Sequence, residues 1–69
     1  MSKIPIVVTN ARAVHPYIVE TRQTESWNAH SCWKHLDKAE AVAMLVCQDY
    51  PHLPVRVHYH AGGPPQIGK

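Results

Sequence analysis

The sequence predicts an α+β fold, with one helix packed across a small, mostly antiparallel sheet of three or four strands in the order β-β-(β)-α-β. Two stretches carry this. An Ala-, Leu- and Met-rich run opens at Leu36-Asp37-Lys38-Ala39-Glu40-Ala41, continues to Tyr50 and meets Pro51, which stops a helix. After a short turn, Pro54-Val55-Arg56-Val57-His58-Tyr59-His60 alternates apolar and polar residues, the period of a strand with one buried face.

The other elements follow from the N-terminus. Ile4 to Thr9 is apolar and rich in β-branched residues, and Asn10-Ala11-Arg12 reads as a turn. Val14 to Arg22 is a second strand, with Pro16 at its edge or beginning. Gln23 to Ser26 is polar and turns the chain again. Trp27 to Trp33 sets Trp27, Ala29 and Trp33 against Asn28 and His30, and forms either a third strand or an ordered loop. The helix is expected to take Asp37 as its N-cap, with Glu40 completing a capping box. A helix lying between two strands is a crossover, right-handed if those strands are parallel neighbours. The tail, residues 61–69, has the Gly- and Pro-rich composition of a flexible end, and residues 1–60 form a single domain.

A chain of 69 residues makes one small domain, and one this short buries only about 60% of the surface its unfolded chain exposes. Its hydrophobic fraction of 45% argues against disorder. A formal charge of +2 is too weak to indicate nucleic acid by itself. The start, Met1-Ser2-Lys3-Ile4-Pro5, lacks the apolar core of a secretory leader, and no apolar run approaches the ~20 residues that cross a bilayer. A cytoplasmic protein with Cys32 and Cys47 as reduced thiols is therefore expected. The six histidines, His15, His30, His35, His52, His58 and His60, are the compositional oddity and would add positive charge on acidification.

Three sets of residues can carry chemistry. His30 and Cys32 share a face if their segment is a strand, as do His58 and His60, and thiolate and imidazole are zinc's preferred ligands. The spacing matches no standard zinc pattern, so surface histidines beside a half-buried Cys32 are the plainer reading, and no cofactor is expected. Cys32 next to His30 or His35 is a nucleophile only if the thiol is partly exposed and in reach of a base. So small a chain has little room for a substrate cleft, and no enzyme is expected. The third set lies on the sheet. If Val55, Val57 and Tyr59 face the helix, then Arg56, His58 and His60 face outward. In the same pleat Trp27 and Trp33 point inward, and His30, Cys32 and Lys34 outward. Arg22, Lys34 and Arg56 with the histidines would then form a basic platform on which single-stranded nucleic acid could lie.

The helix supplies the leading expectation. At 100° per residue Ala39, Val42, Ala43, Val46, Cys47 and Tyr50 make one apolar face for the sheet. Met44 and Leu45 fall outside it, and Lys38, Glu40, Gln48 and Asp49 are too few to cover the remaining arc. Unless Leu36, Ile67 or the N-terminal segment folds over them, Met44 and Leu45 are a partner surface. The expected function is thus a non-catalytic binding module. Met44, Leu45 and Gln48 form the helix contact, and Arg56, His58 and His60 the sheet contact. The partner is a larger protein or nucleoprotein complex, with a homodimer through the helix as the alternative and no role for a membrane.

Over residues 13–60, the hairpin, the Leu36-Asp37-Lys38-Ala39-Glu40-Ala41 helix start and the Val-Arg-Val-His closing strand resemble small β-β-α-β proteins of phages and mobile elements, anti-CRISPR proteins among them. The resemblance lies in architecture and size and carries no signature residue. It implies an inhibitor of a host system that docks without catalysis.

Overall fold

The computed structural model describes residues 4–64. Four strands and one helix follow each other as β1 (Ile6–Thr9), β2 (Tyr17–Gln23), β3 (Ser26–Trp33), α1 (Leu36–Asp49) and β4 (Val55–His60). The class is α+β. The strands form one mixed sheet in the spatial order β1-β4-β2-β3. β2 runs antiparallel to both β3 and β4, and β1 joins β4 in parallel. The segment at 27–33, open between strand and loop in the sequence, is therefore an edge strand. The helix does connect two strands of the same direction, but β2 lies between them, so they are not neighbours.

The helix covers one face of β2, β4 and β3 and leaves β1 uncovered. The core is small: Val19, Ala39, Ala43, Val46, Val55 and Val57 are buried, and Ile4, Tyr17, Trp33, Leu36, Val42, Cys47 and Leu53 pack around them. Ala39 and Ala43 are fully buried, so the helix backbone approaches the sheet with no more than a methyl group between them at these points. Cross-strand pairs Val19–Val57 and Thr21–Val55 form the floor, and the rings of Tyr17 and Tyr59 stack at 4.7 Å at one end of it.

The helix start differs from the expected capping box. His35, in an extended conformation, is the N-cap and makes no side-chain cap hydrogen bond. Asp37 sits inside the first turn, where its Oδ1 accepts from the Lys38 N–H at 2.9 Å. Leu36 packs against the core, and drawing it into the helix starts the first turn one residue before Asp37. Asp37 still gains from the positive end of the helix dipole. At the other end Tyr50, placed by the 100° periodicity on the buried face, is 61% exposed. It lies at the C-cap with φ −133° and ψ 77°, so helical spacing no longer governs it.

The pairing of β2 with β3 slips between Val19 and Glu20: Val19 faces Ser31 whereas Glu20 faces Ala29. His30 is the extra residue of a β-bulge. Because side chains alternate along a strand, one inserted residue moves everything before it to the other face. Trp33 keeps the inward position expected of it, beside the core. Trp27 does not. Paired with Arg22, it stands on the open face, correcting its expected place in the core. His30 turns to the helix side, where it lines a recess with Thr21, Val46, Tyr50 and Leu53.

A two-residue turn joins β2 to β3, with Thr24 at φ 65°. The start of the segment expected to be flexible is tied down. Ala61 N–H donates to the Thr9 carbonyl at 2.7 Å, Gly62 N–H to the Ala11 carbonyl at 2.9 Å, and Ala13 N–H to the Gly63 carbonyl at 3.0 Å. The remainder of that tail, including Ile67, lies outside the described residues.

Candidate functional site

Two surfaces bear the residues singled out by the sequence. The first is the open face of the sheet, where alternation puts Ile18, Glu20 and Arg22 of β2 beside Arg56, His58 and His60 of β4. The register sets Glu20 directly opposite Arg56 and Ile18 opposite His58. Arg56 Nε donates to Glu20 Oε1 at 2.6 Å, and His58 Nδ1 lies 3.1 Å from Glu20 Oε2. On the far side of its ring His58 Nε2 meets Thr9 Oγ1 at 3.0 Å. The Arg56 guanidinium in turn covers the Trp27 ring, 4.1 Å from its centroid. A line of polar contacts thus crosses all four strands, from Thr9 through His58, Glu20 and Arg56 to Trp27.

These side chains are packed although no second layer covers them among the described residues. The side chains of Glu20, His58 and Arg56 are 13%, 17% and 22% exposed. Burial pushes the Glu20 carboxyl up, but hydrogen bonds from Arg56 and His58, with their charges, outweigh it and hold the group below the usual carboxylate range. His60 sets its ring edge-on to His58 at 4.5 Å, and its Nδ1 is sheltered from solvent without a hydrogen-bond partner among the described residues.

Thr9, His58 and Glu20 have the connectivity of a nucleophile, base and orienting acid. Chemistry of that kind also requires a recess beside the hydroxyl and donors for an oxyanion. Four surface depressions among the described residues, of about 390, 380, 250 and 240 Å³, are lined by residues other than these three. What the geometry does account for is the joining of three strands: Glu20 receives a donor from each of two β4 residues, and His58 reaches on to β1.

The alternative metal set of His30, Cys32, His58 and His60 is not gathered. Cys32 is paired with Ile18 on the open face, which puts β2 between it and His58, and His30 is on the helix side. Among the described residues no three His, Cys, Asp or Glu side chains stand together as an ion would need. No hydrogen bond links Cys32 to His30 or His35 among these residues; His30 Nδ1 is instead 3.2 Å from Ser31 Oγ. Of the expected nucleic-acid residues, Arg22 and Lys34 are exposed, whereas Arg56 has its charge answered by Glu20.

The second surface is the outer side of α1. Met44 and Leu45 are 55% and 59% exposed, and Gln48 between them is exposed as well. Met44 and Gln48 also border a depression of about 240 Å³ shared with Ile4 and Cys47. Leu36 does not fold over these side chains but packs against the core.

Glu20, Thr9 and Trp27 are the site residues that sequence reasoning missed. Glu20 is the only acidic residue in any of the four strands, which is a signal of sorts, but its partner depends on a register across 36 residues. Among the described residues no helix is long and apolar enough to cross a membrane. Comparison with protein-family models, with curated proteins and with solved structures gives no match in any of the three.

Proposed function

We propose that this chain is a small non-catalytic binding module that docks on a larger protein through the outer side of its helix. The observation that carries the reading is the pair Met44 and Leu45, adjacent in sequence and each more than half exposed, in a domain whose buried apolar residues, among those described, are alanines and valines alone. Large side chains of this kind are what a fold short of core would enclose if it could, and at interfaces a few such side chains carry most of the energy. Gln48 supplies a donor and an acceptor between them. The sheet face, with Arg56, His58 and His60, is a second, more polar contact. A cytoplasmic setting fits the two unpaired cysteines. Its specific form, an inhibitor of a host system of the type carried by phages and mobile elements, is supported by the architectural resemblance alone.

Met44→Asp combined with Leu45→Asp tests this. Affinity for the partner falls at least tenfold while the circular dichroism spectrum and the cooperativity of unfolding are retained. A double variant that fails to fold would identify the face as core and end the proposal.

One observation favours a second reading, single-stranded nucleic acid on the open sheet face: Trp27 stands there rather than in the core. Against it, Arg56 already covers that ring and is paired with Glu20. Affinity that falls linearly with salt on a log–log plot would favour this reading, and an apolar protein contact gives a much weaker slope.

A further inference from the structure

We infer that β1 is a self-complementary edge through which two copies of this chain pair, antiparallel, into one continuous eight-stranded sheet. The two edges of the present sheet are β1 and β3, and they are built differently. β3, Ser26-Trp27-Asn28-Ala29-His30-Ser31-Cys32-Trp33, carries the His30 bulge. A bulge, which twists an edge away and leaves one residue unpaired, is one of the ways sheets protect an edge from pairing. β1 is Ile6-Val7-Val8-Thr9, uncharged, without proline and in unbroken register with β4. The helix does not cover it, and Ile6 and Val8 are left 43% and 60% exposed.

Among the described residues, the hydrogen bonds show which backbone groups of this edge are free. Pro5 accepts from Val57 N–H and Thr9 from Ala61 N–H, so the residues whose polar groups point into the parallel β1–β4 ladder are Pro5, Val7 and Thr9. Ile6 and Val8 alternate with them and direct both N–H and C=O away from the sheet. Proline thus falls where the free edge needs no donor.

A two-fold axis between Val7 and its copy sets Ile6 opposite Val8 of the second chain, twice. Each of these is a pair that exchanges two N–H···O bonds, so all the free groups of Ile6 and Val8 are used. On the helix side Ile6 and Val8 pack across the junction, and on the open side Val7 meets Val7, so the three central pairs are all between β-branched aliphatic residues, with Pro5 opposite Thr9 at either end. No like charges meet along the strand. The second copy is favoured over a foreign strand because donors, acceptors and side chains match under the symmetry itself. The axis is perpendicular to the sheet, so both helices stand on the same face with their Met44 and Leu45 surfaces available. The pairing is independent of what docks on the helix.

Native mass spectrometry and sedimentation equilibrium of the untagged chain at about 100 µM test the pairing. They are expected to show twice the 7.8 kDa chain mass. Val8→Pro, which removes only an outward N–H, and Val8→Lys, which charges the junction, are each expected to give a folded monomer. In the wild type the amides of Ile6 and Val8 exchange about tenfold or more slower at that concentration than after extensive dilution. A wild-type monomer overturns the inference. So does a dimer that survives both substitutions, or one in which these two amides exchange equally fast at both concentrations. Should either variant fail to fold, exchange in the wild type decides alone.

Discussion

Glu20 and Arg56 face each other across β2 and β4 and bond at 2.6 Å on a sheet face that no second layer covers among the described residues. Arg56 lies at the same time over Trp27 of β3, so one ion pair links three strands. The link explains why a face that reads as a free basic surface is largely occupied with its own side chains. It also shifts the weight of the binding proposal to the helix.

Glu20→Gln removes the charge that Arg56 and His58 share. With Glu20 and Arg56 both mostly sheltered, the loss is about 1–2 kcal/mol at pH 7, measured by urea denaturation. The sign of the pH effect follows from the lowered carboxyl of the folded chain. The unfolded chain takes up this proton at the higher pH, so the contribution is complete above the ordinary value of 4.5 and is lost as pH falls through the folded value below it. The Gln variant lacks that part of the acid destabilisation.

His35→Ser supplies the cap that α1 lacks. His35 already has the extended backbone of an N-cap, at φ −123° and ψ 138°. A serine hydroxyl there can accept from a free first-turn N–H without moving the chain. A gain of about 0.5–1 kcal/mol is expected in thermal unfolding.

Thr24→Gly relieves the positive φ of a β-branched residue in the β2–β3 turn. Glycine adopts this conformation freely, and part of the relief is offset by the greater freedom of the unfolded chain. The net expectation is a stabilisation of roughly 0.5 kcal/mol or slightly more.

Gly62→Ala acts in the opposite direction. A Cβ on Gly62 would collide with the carbonyl oxygens of Asn10 and Ala11, backbone atoms that cannot step aside. The hydrogen bond from Gly62 to Ala11 is then lost, with a cost of about 1–3 kcal/mol in denaturant unfolding. Faster exchange of the Ala61 and Gly62 amides would locate the damage.

The helix and β4 were legible because their burial repeats with their own geometry: Ala39, Ala43 and Val46 on one side of a helix, Val55 and Val57 on one side of a strand. The exposure of Met44 and Leu45 followed from the same periodicity. Trp27 was misplaced because a pattern of alternation cannot register one bulged residue, and the pattern before His30 was read in the wrong phase. The capping box failed because Asp37 and Glu40 satisfy a local rule that the burial of Leu36 overrides. The parallel seating of β1 beside β4, and with it the line from Thr9 to Glu20, depends on pairing between distant segments. No local pattern contains it.

The proposal that the helix exterior is a docking surface is tested most directly by photo-crosslinking in the cells that make the protein. A photoreactive residue replaces Leu45 in one variant and Glu25, in the exposed β2–β3 turn, in another. The account predicts that one foreign protein is cross-linked from position 45 and not from 25, and that Met44→Asp in the same chain removes it. Equal labelling from both positions, or cross-links from position 45 only to a second copy of the chain, would contradict it.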